Sequence, residues 1–367
     1  MPPTLRKGIQ HLHYVGTALL ALLAIPAIKR LNLPMHLNWR GMALFYWVGL
    51  GPRSLFYAAG FCILALPLTR TLGSFWGRYR REKLRIVFAL LFLVAVNCVL
   101  PLTIAIILTT DALLIVELAE RHKGEGGFFR NRVVSVVVSA TYMLLGVSLV
   151  LIYNDIIVAS RFPLSYDNAL NQVDARFLGG RNVTLISHEM FAVLPPTILR
   201  SWDTAYFQMF LVLGATLLIS AYHSSRRGLQ FVGTCLSAYY LALLIFYAWP
   251  TYGPYIFCAR HATEYPRYLT TYLFQEAGIR GIQALSQHRV RTLASGYYIA
   301  FPSLHVGLPV IAMWFLRPWR MLFWLLAAYT GILAIAVIVL EWHYALDVPA
   351  GIAVAAIALA MVGREPI

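Results

Sequence analysis

Long apolar runs separated by short basic loops make up most of this chain, and they leave it few folds to choose from. The runs lie at about residues 14–28, 42–69, 86–118, 133–153, 204–222, 229–249, 303–316, 321–340 and 345–362. Each supplies the roughly 17 to 25 residues that a membrane-spanning helix needs, the first and seventh by borrowing flanking residues. No polar spacer is long enough for a soluble domain. Residues are 60% hydrophobic and 12% charged, about half the charged share of an ordinary soluble domain. The sequence therefore predicts an all-α polytopic membrane protein.

Arg6 and Lys7 precede the first run, but Pro26, Ala27 and Ile28 lead straight into Lys29 and Arg30 with no small-residue cleavage site. This reads as a retained helix. The run at 86–118 is either one long helix or a hairpin turning near Pro101. The hairpin puts the basic loop Arg78 to Arg85 on the same side as the other basic loops, and the two choices give nine or ten spans. No internal repeat or low-complexity tract is visible.

The formal net charge of +15 raises the question of nucleic acid. Its basic residues sit in short loops between spans, so positive-inside bias explains them and no nucleic-acid partner is expected. Arg226 and Arg227 join two spans, Arg317 and Arg320 join two others, and Arg121, Lys123, Arg130 and Arg132 precede the span at 133. Simple alternation brings these to one face, the cytoplasmic one. The opposite face receives the connections at about 154–203 and 250–302 and the turn carrying Glu341, His343 and Asp347. Of four cysteines, Cys62, Cys98 and Cys235 fall inside runs and Cys258 beside one, giving neither a metal spacing nor a disulfide framework.

Ionisable groups near the ends of apolar helices are costly and ask for a reason. Phe301-Pro302-Ser303-Leu304-His305 opens one helix, and His343 follows 38 residues after His305, with Asp347 four residues further on. One crossing and one return separate the histidines, so both lie on the same side. On a helix, residues four apart share a face, which lets the Asp347 carboxylate hold an imidazole nitrogen of His343. Ser303 stands where it can cap the helix, whose free N–H groups suit an anion such as phosphate. Trp249-Pro250-Thr251-Tyr252-Gly253-Pro254-Tyr255 ends another span on the same face and supplies a third wall. Two other readings use the same groups: a proton relay of His343 and Asp347 in a transporter or flippase, and an open metal site of His305, His343 and Asp347.

The order Pro-Thr-Tyr-Gly-Pro, Phe-Pro-Ser-Leu-His, His-Tyr-Ala-Leu-Asp resembles the membrane branch of the type-2 phosphatidic-acid phosphatase superfamily. More narrowly it is similar to the inositol phosphorylceramide synthase group. The resemblance covers the six spans from about 133 to 362. It implies a six-helix phosphatase-like catalytic core over residues 131–363, with three or four extra transmembrane helices of unknown role in residues 1–130. It also implies a phosphohistidine on His343, oriented by Asp347. His305 then protonates the departing alkoxide and later deprotonates the incoming hydroxyl. The two histidines are expected on opposite sides of a space that fits one phosphoryl group. No metal or other cofactor is required in that scheme. The implied partners are a phospholipid donor such as phosphatidylinositol and a lipid-alcohol acceptor such as ceramide or diacylglycerol. With water as acceptor, the same residues make a lipid phosphatase acting on phosphatidic acid or a polyprenyl phosphate.

The chain departs from the wider superfamily where an Arg is usual six residues before the last histidine, since Val337 stands there and Ala336 precedes it. The superfamily's first motif, a Lys followed by Arg-Pro, is missing as well, and the synthase-like group shares both departures. A cation must still neutralise phosphoryl oxygens. Arg260, Arg267, Arg280, Arg289 and Arg291 are the candidates, with Arg260 and Arg267 favoured because they follow the Gly-Pro break most closely. Substrate contacts are thus expected from Ser303, Tyr252, Gly253, Arg260 and Arg267. The segment at about 161–203 mixes Phe177, Leu185, Ile186, Met190 and Phe191 with Arg176, Arg181, His188 and Glu189. That mixture predicts interfacial helices over the site, either a lid or a passive surface.

Overall fold

The computed structural model describes residues 12–34, 128–257, 265–290 and 296–362. Arg260, Arg291, His261, the runs at 42–69 and 86–118, and with them the choice between nine and ten spans, lie outside the described residues. Among those described there are eleven helices and no strand.

The first helix, α1 (Leu12–Arg30), matches the expected N-terminal apolar run. Then come α2 (Phe128–Arg161), α3 (Asp167–Phe177), α4 (Val183–Val193), α5 (Pro196–His223) and α6 (Ser225–Ala248). A single turn, α7 (Pro254–Phe257), precedes α8 (Thr270–Ser286), and α9 (Leu304–Leu316), α10 (Arg320–Val339) and α11 (Asp347–Val362) complete the chain. Four of these are long and apolar enough to cross a membrane: Val138–Arg161 within α2, Pro196–His223, Arg226–Ala248 and Arg320–Val339. The two shorter helices of the six-helix core are α9 and α11, with 13 and 16 residues.

At 13 residues α9 is only about 20 Å long, against a hydrocarbon thickness of roughly 30 Å. Its missing length is made up by irregular backbone, which is tolerated at depth only where protein surrounds it. Tyr298, Ile299, Ala300 and Ser303 are all buried. Several of the backbone amides here are paired: Ala300 N donates to Thr251 O (3.0 Å) and Ser303 N to Asp347 O (3.0 Å), and Phe301 N to Thr251 Oγ1 (3.1 Å). One apolar cluster joins α1, α2, α5, α6, α9 and α11 around Val150, Leu236, Leu308 and Ala355. A second, around Tyr206, Leu333, Val337 and Leu340, lies beside the His343 turn.

The basic connections meet at one end of the bundle. Arg227, buried at the start of α6, donates to Phe315 O near the end of α9, and its guanidinium lies over the Trp319 ring, 4.9 Å from the centroid. His305 starts α9, so the histidines occupy the other end.

Near that end α9 and α11 touch backbone to backbone. A Cβ on Gly351 would lie 2.0 Å from Ser303 O, and one on Gly307 would lie 2.6 Å from Gly351 O. Small residues permit such approach between membrane helices. A carbonyl cannot move aside as a side-chain tip can. Gly351→Ala is therefore expected to destabilise the protein by about 1–3 kcal/mol, read as a lowered thermal midpoint in detergent. An unchanged midpoint would show that the crossing tolerates a methyl group.

Candidate active site

His305, His343 and Asp347 come together at the non-basic end of the bundle, each nearly or wholly buried at 7%, 2% and 0% exposure. His343 Nδ1 lies 2.7 Å from Ala300 O and 3.2 Å from Asp347 Oδ2. A carbonyl oxygen only accepts, so Nδ1 carries the proton and donates. In the neutral ring this leaves Nε2 with a bare lone pair. That lone pair is turned toward His305, whose Nδ1 is 3.4 Å away.

Two expectations about this trio need correction. His343 and Asp347 do not share a helix. The backbone leaves α10 through Glu341, which has φ +57°, and Trp342 N and His343 N both donate to Val337 O at 3.1 Å. Asp347 is the first residue of α11, and a tight turn rather than a helical one brings its carboxylate back to His343. The phosphoryl-sized space between the histidines is also absent, because the nitrogens are in direct contact at 3.4 Å. A phosphoryl group must part them or enter beside them.

Beside them is a small cavity walled by Tyr206, Tyr252, Tyr255, Tyr297, Tyr298, Ile299, Ala300, His305, Trp342 and His343. Tyr206 stacks on His305, with centroids 4.1 Å apart and planes at 19°, and on Trp342 at 5.0 Å and 5°. The Tyr252 and Tyr297 hydroxyls are buried with no hydrogen-bond partner among the described residues. Burial pushes both phenols up from their ordinary value, and at Tyr252 the Asp167 charge adds to the effect of burial. Both therefore stay protonated and able to donate. Sequence patterns gave no means of placing Tyr206 or Tyr297 here, since one comes from mid-bundle α5 and the other from a loop.

The expected substrate contacts are spread unevenly. Tyr252 is in the wall, whereas Gly253 and Ser303 are not. The amides of Tyr252 and Gly253 are already taken by Asp167, at 2.9 Å and 2.8 Å. Gly253 serves the backbone: its φ is +96° and a Cβ there would lie 2.7 Å from Trp342 O. Ser303 occupies the N-cap position of α9 but makes no side-chain cap bond. Its hydroxyl is buried without a partner among the described residues, while its carbonyl accepts from Gly307 N (3.0 Å). Arg267 and Arg289 are exposed, and Arg280 is exposed with its guanidinium 3.7 Å from Glu276. No described cation lines the cavity. Val337 is fully buried in the second apolar cluster.

The 161–203 segment forms α3 and α4, joined through Gly179 and Gly180 with φ of +66° and +86°. Phe177 and Val193 are exposed at 79% and 78%, as interfacial helices require. His188 on α4 approaches the His343 turn, its Nε2 3.8 Å from Glu341 Oε1. On α3, Asp167 and Asp174 are buried and accept from the loops that build the site. Asp167 takes Tyr252 N, Gly253 N and the Tyr344 hydroxyl (3.1 Å), and Asp174 takes Ala345 N (2.5 Å) and Leu346 N (3.1 Å). Burial raises both carboxyls above the usual range, against the opposing pull of those hydrogen bonds. Neither residue was anticipated as part of the site.

No curated protein and no solved structure gives a significant match to the chain. Residues 186–361, from α4 to the end of α11 and including all three ionisable groups, match the family described as the PAP2 superfamily. Over that stretch the chain is similar to the PAP2 superfamily, and this likeness together with the long apolar helices supports an integral membrane protein.

Proposed function

We propose that the protein transfers a phosphorylated headgroup, such as phosphoinositol, from a phospholipid to a lipid alcohol through a phosphohistidine on His343. The observation that carries this reading is the bare Nε2 of His343, facing His305 beside an aromatic cavity, with Nδ1 tied to Ala300 O and Asp347. In the first step Nε2 attacks phosphorus, the P–N bond forms, and the P–O bond to the glycerol oxygen breaks. Protonated His305 gives its proton to that oxygen, and diacylglycerol leaves. In the second step His305 takes the proton of the acceptor hydroxyl, the acceptor oxygen attacks phosphorus, and the P–N bond breaks. Asp347 stabilises the positive charge that His343 carries between the steps.

The tyrosine wall supports transfer over hydrolysis. A phosphohistidine reacts with whatever hydroxyl reaches it, and water is favoured by its concentration unless the site is screened. Here the cavity wall holds five tyrosines and one tryptophan, and no described charged residue other than the histidines. The Tyr252 and Tyr297 hydroxyls are the donors at hand for phosphoryl oxygens. The bias of the basic loops supports a site on the non-cytoplasmic face. Residues 131–363 are read as the catalytic core, against which α1 packs.

The test is a product analysis with purified protein in liposomes, using headgroup-labelled phospholipid with and without ceramide or diacylglycerol. Labelled acceptor lipid should exceed free headgroup phosphate whenever an acceptor is present. If free headgroup phosphate or inorganic phosphate forms at one rate whatever acceptor is added, the protein is a lipid phosphatase. Vanadate, which adopts five-coordinate geometry, should inhibit either activity.

A further inference from the structure

We propose that α3 is a clamp on the reacting groups, with Asp174 and Asp167 acting as positioning residues for His343 and for the turn opposite it. The proposal rests on the phosphohistidine reading for its kinetic consequences, but its geometry stands apart from it. Both residues lie ahead of the stretch that matches the PAP2 superfamily.

The turn between His343 and Asp347 decides whether the carboxylate meets the imidazole. Its three intervening amides all point at carboxylates: Tyr344 N donates to Asp347 Oδ2 (2.9 Å), Ala345 N to Asp174 Oδ2 and Leu346 N to Asp174 Oδ1. Amides just ahead of a helix have no acceptor within it, so the turn needs an external one. Asp174 supplies it from 171 residues away. Two turns earlier on the same helix, Asp167 does likewise for the Tyr252–Gly253 turn and adds the Tyr344 hydroxyl. Seven residues make nearly two full helical turns, so both carboxylates project from one face of α3. Ser165 Oγ donates to Asp167 and holds its carboxylate in place. Through these bonds one short helix sets the distance between the His343 turn and the cavity wall carrying Tyr252. A lid must leave the site to admit substrate. An element that supplies the acceptors for the site's own backbone has the opposite task.

Asp174→Asn tests this with little change of shape, because an amide nitrogen then faces one of two N–H donors and only one acceptor remains. Misplacing a reacting group by about 1 Å costs on the order of 100-fold. The expected result is a kcat for headgroup transfer about 10- to 100-fold below wild type, a KM for the donor within about twofold, and an unchanged folded fraction by size exclusion in detergent. Asp167→Asn should show a smaller loss of kcat together with a raised KM, since it acts on the cavity wall. A second readout needs no turnover: with ¹⁵N-histidine labelling, the Nδ1–H resonance of His343 should shift or broaden in Asp174→Asn. An unmoved resonance, or a loss of kcat that merely tracks loss of folded protein, overturns the clamp. If the wild type turns over no phospholipid but the resonance moves, the clamp stands and the functional reading falls.

Discussion

His343→Gln is expected to bring headgroup transfer down by at least about 10,000-fold, to the background of the assay, and to leave no labelled enzyme when the donor carries ³²P. In the proposed mechanism both half-reactions pass through one atom, Nε2 of His343, so no partial route would survive its removal. Groups that act as a unit show losses of this size when the nucleophile alone is removed. Glutamine keeps a polar side chain of similar reach, and its amide nitrogen is no nucleophile. The buried turn around it stays hydrogen-bonded through the amides of residues 344 to 346, so the variant is expected to fold. Rapid quench into base preserves a phosphohistidine and shows the wild-type intermediate directly. Wild-type turnover in His343→Gln, or label retained on that variant, would falsify the nucleophile assignment.

His305→Ala should lose less, and the loss should depend on the substrate. A general acid contributes roughly 100- to 10,000-fold, and its contribution shrinks when the leaving group needs no proton. With a natural phospholipid the variant is expected to fall by that factor in kcat. With a donor whose leaving group is an acidic phenol, the first step should recover most of its rate, visible as a burst of phenol. The second step, which needs a base for the acceptor hydroxyl, should then limit turnover. Equal losses on both donors would remove His305 from the proton transfer and leave it a wall residue beneath Tyr206.

That His305, His343 and Asp347 meet was legible in the sequence, because one crossing and return separates the histidines and four residues separate His343 from Asp347. His343 and Asp347 were read as helical neighbours and are in fact joined across a turn, yet four residues of separation closes the contact in either form. The bundle was legible for a similar reason, since a run of apolar residues fixes a helix without regard to its partners: the expected 229–249 and 321–340 appear as Ser225–Ala248 and Arg320–Val339. What escaped was everything built from contacts between distant segments. Asp174 meets the turn 171 residues away, Tyr206 meets His305 from another helix, and α8 turns Gln275 Nε2 onto Leu340 O at the end of α10 (2.7 Å). A signal for the first did exist. Two aspartates seven apart on an amphipathic helix share a face, and carboxylates on the buried face of such a helix require donors. Ser303 failed in the other direction: its position before α9 is that of a cap, but the carbonyl rather than the hydroxyl receives the first amides.

The stacking of Tyr206 on His305 has a mechanical consequence. A ring held face to face at 4.1 Å with planes 19° apart keeps its contact when it slides or turns within its own plane and loses it when it tips. Trp342, parallel to Tyr206 within 5°, extends that flat surface toward the His343 turn. A sideways glide across the phenol is therefore a motion by which His305 can withdraw from the 3.4 Å contact with His343 without losing the stack. Gliding preserves the direction of its Nδ1 while changing its reach. In the proposed mechanism the same atom would meet leaving oxygens at different depths, and tolerance for donors of different shape is then expected to be a property of an aromatic surface rather than of a pocket.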